Sequence, residues 1–412
     1  MLDNEAEWEA HRNAGRDAFR GNRPAQAVAQ YSAALAVAER SGTGGERLQT
    51  SLAELAGAYE RDYRWAEVAE VSRRLLRLQE RRYGPDVREL VPTLQRLARA
   101  TQELNRDRSS ERLLHRALAI QERAFGHEHP SVTAGLHALG LHYLRRRRFA
   151  DAEAAWLRAE RIRTASPNAR EGIGHDAILQ CLVLVYREWR RPVEFEGVAR
   201  RRLQIADLEG ADHLRLGSGY ANLAEALALQ KRYWDAAAAY RVAIDHYQRW
   251  FRNTTRAARF QVPDTIGTRD RLRSSGRLQA SWLQQQLARC LHKAGRASEA
   301  MRVERRVETV LERALAEHDE GERLDDIADV SLLESLADIY IRRGRPADAE
   351  PLLRRSLAVQ HELAADLESR FSHVQHARAR ARIRATLRAN TARLRRRYTA
   401  VLRRLGREPY TP

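Results

Sequence analysis

A chain of 412 residues with 43 % apolar and 31 % charged side chains has material for a core. It contains no run near the roughly 18 to 20 apolar residues that a membrane helix needs, which excludes a membrane span. The net charge of +18 invites a polyanionic partner, but it is unevenly placed: 13 arginines against one acid, Glu408, give Arg370 to Pro412 a charge of +12. Only Lys231 and Lys293 among the 73 basic residues are lysine, a bias that fits a GC-rich, bacterial genome rather than selection for guanidinium chemistry.

In chain order, the N-terminal MLDNEAEWEAHR is acidic and lacks an apolar signal core, so a cytoplasmic location is expected. Internal repetition begins with a degenerate copy around Gly15 in RNAGRDAF. The segments LAELAGAY (52–59), LQRLARAT (94–101) and LHALGLHY (136–143) put Ala56, Ala98 and Gly140 in register at a period of 42. The same frame returns as LQCLVLVY (179–186), YANLAEAL (220–227), LQQQLARCL (283–291) and LLESLADIY (332–340), making eight units. Each reads as two helices: in the fourth, Gly140 and Tyr143 precede Phe149, Ala152, Trp156 and Ala159 at helical spacing. No unit buries its apolar face alone, so the units must stack.

GHEHP (126–130) offers two histidines flanking a glutamate. It occupies the slot that YGPDV holds one period earlier, where Gly126 caps a helix and Pro130 precedes the next. A joint is therefore expected rather than a metal site, which needs further ligands. The fifth unit departs from the pattern at Pro192 and Arg202. An insertion follows at about 251–280, where Trp250, Phe251 and Phe260 lie among arginines and Pro263 and Gly267 end the preceding helix. It caps a groove, contacts a partner or extends the sixth helix pair. Asn253-Thr254-Thr255 matches a glycosylation sequon but has no signal peptide to support it.

In the C-terminal segment Ala379, Ile383, Leu387, Asn390, Leu394, Tyr398, Val401 and Leu405 recur at spacings of four and three, as one amphipathic helix or two. This segment is expected to cap the array, with its arginines available to an anionic partner. Cys181 and Cys290 sit in apolar helical patterns outside any CxxC motif and read as buried thiols. Phosphate-loop, GxSxG and HExxH motifs are absent, so no catalytic residue, cofactor or metal is assigned.

The order of small and aromatic positions, Gly15, Ala27, Tyr31 and Ala34 in the first unit, resembles the tetratricopeptide repeat. So do Ala224, Tyr233, Ala236, Tyr240 and Ala243 in the sixth unit, and Ala337, Tyr340, Gly344 and Ala349 in the eighth. The 42-residue period with joints YGPDVRELVP and FGHEHPSV is similar to the longer variety of kinesin light chains. The resemblance implies an all-α, right-handed superhelical solenoid of about eight helix-turn-helix units over 1–369, closed by a helical cap over 370–412. It also implies a concave groove lined by first helices. Carried onto this chain, the groove positions are Gln95, Arg99 and Gln102, then His137, Leu141 and Arg145, then Gln180, Leu184 and Arg187. Later units supply Asn222 and Glu225, then Gln285, Arg289 and His292, and finally Glu334 and Asp338, whose acidity would give a ligand direction. The resulting expectation is a non-catalytic scaffold that captures a peptide or helix of a protein partner. Two other readings stand beside it: a nucleic-acid regulator using the Arg-rich end, and a regulatory subunit of a separate effector enzyme.

Overall fold

The computed structural model describes residues 2–40, 45–167, 169–261, 268–319, 327–370 and 377–407. They form α-helices that pair in sequence: α1 (Leu2–Arg20) with α2 (Pro24–Arg40), α3 (Glu46–Arg61) with α4 (Trp65–Tyr83), α5 (Val91–Glu103) with α6 (Asp107–Phe125), and α7 (Val132–Arg145) with α8 (Phe149–Ala165). The next pairs are α9 (His175–Trp189) and α10 (Pro192–Leu208), α11 (His213–Leu229) and α12 (Tyr233–Gln261), α13 (Thr268–Lys293) and α14 (Ala297–Asp319), and α15 (Ile327–Arg342) and α16 (Pro346–Arg370). The last helix is α17 (Ala377–Arg404). The described residues form an all-α array of helical repeats, and the chain divides into two compact units between Val185 and Tyr186, inside α9. From α1 to α8 in the first unit, and from α10 to α16 in the second, each helix packs on the next in sequence.

One turn sets the register. Each pair reverses at a residue with positive φ: Asn22, Tyr63, Asn105, Arg147, Arg190 and Lys231, then Gly295 and Gly344. The next residue is arginine every time, and its backbone N–H donates to the carbonyl five positions back, as in Arg64 to Tyr59 (2.9 Å), Arg148 to Tyr143 (2.9 Å) and Arg345 to Tyr340 (2.8 Å). This six-residue closure satisfies a helix-terminal carbonyl that would otherwise be orphaned. The arginine then starts the second helix. Its guanidinium lies over the same tyrosine ring, at 4.6 Å for Arg64 on Tyr59 and 4.5 Å for Arg148 on Tyr143. It also pairs with an acid in the first turn of that helix, such as Glu67, Asp151 or Asp348.

Packing follows the same count. Five residues past the turn residue stand Ala27, Val68, Ser110, Ala152, Phe195, Ala236, Ala300 and Ala349, and all are completely buried. Seven residues before it stand Gly15, Ala56, Ala98, Gly140, Val183, Ala224, Ala288 and Ala337. Small residues belong there because the partner helix comes close: a Cβ on Gly140 would sit 2.5 Å from the buried Trp156 ring, and one on Gly15 2.8 Å from Tyr31. The irregular fifth unit keeps this frame. Pro192 occupies the first turn of α10, where its missing N–H costs nothing, and Arg202 is buried with its Nη1 donating to Ser218 Oγ at 3.2 Å.

GHEHP lies between α6 and α7, with Gly126 at φ 96°, matching Gly84 at φ 92° one period earlier. His129 stacks on Phe125 at 5.2 Å and accepts the Ser131 N–H, and Gly172 of the following joint sits against the Pro130 carbonyl. Around the insertion, α12 and α13 are lengthened to 29 and 26 residues, and Trp250 and Phe251 are half-buried. Pro263, Gly267 and the Phe260 side chain lie outside the described residues. α17 is one helix rather than two. Its Leu394, Tyr398, Val401 and Leu402 pack on Leu332, Leu336, Leu353 and Leu357, while the side chains of Ala379, Ile383 and Leu387 are outside the described residues.

Gly140→Ala is expected to destabilise the first unit by about 1–3 kcal/mol through overpacking against Trp156. Gly57→Ala, where an added Cβ meets nothing within 4 Å, is expected to stabilise by about 0.5–1 kcal/mol through helix propensity. Urea midpoints of the two variants, moving in opposite directions, check the pair.

Candidate ligand-binding face

Counted from each turn residue, the groove positions fall at equivalent places on each first helix, about ten, six and three residues before it. In the first unit this places Gln95, Arg99 and Gln102 on α5, His137, Leu141 and Arg145 on α7, and Gln180 and Leu184 on α9. Leu141 is exposed, and Gln95, Gln102, Gln180 and Leu184 are half-buried. Gln102 Nε2 and Gln180 Oε1 are buried atoms with no hydrogen-bond partner.

The arginines of the stripe are already engaged. Arg99 pairs with Glu60 at 2.6 Å and lies 5.3 Å over Trp65, and Arg145 pairs with Glu103 at 2.5 Å. In the second unit Arg187 lies 3.6 Å from Glu225, whose carboxyl is raised by burial and lowered less by Arg187. These guanidinium groups join successive repeats, so a ligand carboxylate would have to displace an internal partner.

His137 is not a solvated groove residue. It accepts from Trp156 Nε1 at 3.3 Å and lies 3.8 Å from the Cys181 sulfur, a neighbour 44 positions away that the sequence does not reveal. Burial lowers the imidazole and pushes the thiol up to about 11, so both groups stay neutral at pH 7 and no thiolate nucleophile forms. Among the described residues no cluster of three or more His, Cys, Asp or Glu is placed to hold a metal ion, and no helix is long and apolar enough to cross a membrane.

In the second unit, Asn222 leaves its Nδ2 buried without a partner. Gln285 is fully buried at 4 % exposure with Nε2 unpartnered, and His292 meets the buried Glu304 at 3.5 Å. Glu334 and Asp338, whose acidity is expected to give a ligand direction, are both bound by Arg397 of α17. Arg289 lies 3.8 Å from Asp338. Gln285, Arg289, Glu334 and Asp338 thus converge on a cavity of about 430 Å³ that α16 and α17 complete through Gln360, Leu363, Asn390, Thr391 and Arg393. Position gave the first four residues but not the α17 wall. The one signal for that wall was polar Asn390 in an otherwise apolar seam.

The family model of the tetratricopeptide repeat matches residues 93–131 and 330–364, which hold the α5–α6 and α15–α16 pairs. Those two helix pairs match the tetratricopeptide repeat. No curated sequence matches it. Among solved structures it is similar to the kinesin-light-chain-type repeats of Podosopora anserina, at 20 % identity over 48 % of this chain and 95 % of that one, with a TM-score of 0.43. It is also similar to a tetratricopeptide repeat protein of Parabacteroides merdae, at 12 % identity over 82 % of this chain and 99 % of that one, with a TM-score of 0.41.

The repeats carry a buried histidine, His142, and half-buried ones, His137, His213 and His246, that set an acid limit. In the sixth, His213 and His246 meet through Nδ1 at 3.0 Å with Tyr220 stacked on His246. Burial, and then His213, lower His246, while burial lowers His137 and His142. The fold favours the neutral imidazoles, whereas the unfolded chain takes up protons near pH 6.5. The urea midpoint is therefore expected to fall as pH drops below about 6.5, and His246→Gln to flatten that dependence. Arg397→Ala, which strands Glu334 and Asp338, is expected to speed amide exchange along α17 while leaving α1 to α8 unchanged.

Proposed function

We propose that this protein is a non-catalytic, cytoplasmic interaction scaffold whose first-helix stripe receives an extended segment or helix of a protein partner. One observation carries the reading: Gln102 and Gln180 in the first unit, and Asn222 and Gln285 in the second, each keep a buried amide atom unbonded on the first-helix stripe of their own unit. A buried polar group left unpaired costs about 1–3 kcal/mol, which a partner's backbone can recover by pairing with it. Exposed Leu141, on the α7 part of the first unit's stripe, suits an apolar side chain. Because Arg99, Arg145 and Arg187 hold internal acids, the segment favoured is neutral polar and apolar rather than acidic.

A second reading rests on α17, where Arg388, Arg396, Arg403 and Arg404 are exposed and would meet phosphates. Removing α17 cannot test it, because Leu394, Tyr398, Val401 and Leu402 belong to the core. The test is a tagged pull-down from native lysate with nuclease, using Leu141→Glu, Asn222→Leu and a triple Arg388→Gln, Arg396→Gln, Arg403→Gln variant. A stoichiometric protein that survives nuclease, drops at least tenfold with Leu141→Glu or Asn222→Leu, and persists with the arginine variant is expected. Nucleic acid recovered by the parent chain and lost by the triple variant would replace the scaffold reading with the second.

A further inference from the structure

The cavity in the second unit has a chemistry of its own. Two residues of its lining each keep a buried polar atom unbonded: Gln285, 4 % exposed, its Nε2 donor, and Gln360, whose Nε2 donates to Glu334 at 3.4 Å, its Oε1 acceptor. A group that accepts from one and donates to the other satisfies both, and a secondary amide does this with a single C=O and N–H.

The charges select next. Glu334 and Asp338 are both bound by Arg397, and Arg289 reaches Asp338 only at 3.8 Å. Arg289 and the exposed Arg393 line the cavity beside these two acids, and with Arg397, which holds both acids without lining it, the cluster counts three cations against two acids, an excess of one positive charge. A monoanion fits, and a carboxylate matches the fork of a guanidinium. Trp282, 45 % exposed, with Val330 and Leu363 supplies an apolar wall for a side chain. A volume of about 430 Å³ sits toward the lower end of small-molecule sites, which run from about 300 to 1,000 Å³.

We infer that this cavity binds a small N-acylated amino acid or a close analogue: a carboxylate, a secondary amide and an apolar side chain on one compact molecule. Its amide joins Gln285 to Gln360, its carboxylate meets Arg289 and Arg393, and its side chain lies on Trp282. Such a ligand bridges α13 and α17 and fastens the last helix to the array. This assignment does not depend on capture of a partner segment, and either can fail alone.

The probe is N-acetyl-L-phenylalanine, compared with uncharged N-acetyl-L-phenylalaninamide and with an acetylated pentapeptide ending in phenylalanine. The full chain is titrated with each, and binding is read from the Trp282 indole ¹H–¹⁵N signal, assigned by its loss in Trp282→Phe. The acid is expected to shift that signal and to bind at least about tenfold more tightly than the amide, a difference of about 1.4 kcal/mol. Gln285→Leu and Arg289→Gln should each weaken it by a similar factor while the remaining tryptophan signals keep their positions. An amide that binds as well as the acid, or an acid that leaves the Trp282 signal unmoved into the millimolar range, overturns the proposal. Tighter binding by the pentapeptide also overturns it, by giving the cavity to a chain terminus.

Discussion

The reversal at each positive-φ residue is the event on which the other contacts depend. It fixes three things together: the carbonyl closure by the following N–H, the arginine that starts the second helix, and the distance to the small residue seven positions earlier. Shifting the turn by one position would rotate the helices by about 100° relative to each other and turn the completely buried positions toward solvent. The strain of positive φ at a residue with a side chain, about 1–2 kcal/mol, is tolerated because everything downstream is counted from that point.

This count explains why the fold was legible. The small residues at Gly15, Ala56, Ala98 and Gly140 and the aromatic residues at Tyr31 and Trp156 are visible in the sequence because size complementarity requires them. The turns themselves were less legible, since Tyr63, Arg147, Arg190 and Lys231 are not residues that announce positive φ. Pro192 read as a defect only because proline at the start of a helix and proline inside one look alike without a boundary. The candidate site was half legible. Register places the stripe, but whether Arg99, Arg145 or Arg187 is free depends on acids roughly forty residues away, and the cap that binds Glu334 and Asp338 comes from a helix outside the repeat frame.

The electrostatics of the two units share a logic with different depth. In the first, apart from the buried Glu160 beside His175, the ion pairs between repeats are partly exposed, as with Arg12 and Glu54 or Arg148 and Glu111, and each contributes little alone. In the second, the acids are buried: Glu304 at 2 %, Glu308 at 7 % and Glu350 at 6 % exposure. Glu304 is met by Arg342, and Glu308 by Arg343 and Arg345, from the repeat that follows. Tyr398 and Arg407, from beyond the last repeat, meet Glu350 beside Arg354 of its own helix. A buried acid deprived of its partner is costly, so these contacts make each repeat depend on its successor.

That dependence has a direction, and protein synthesis runs the same way. Domains emerge from the ribosome at about 5–20 residues per second, so each of these carboxylates waits several seconds for the guanidinium that neutralises it. Meanwhile it stays hydrated, and the repeat that carries it stays incompletely closed. The second unit therefore matures as a moving front, its newest repeat always unfinished, until α17 supplies Tyr398 and the turn after it Arg407 to Glu350.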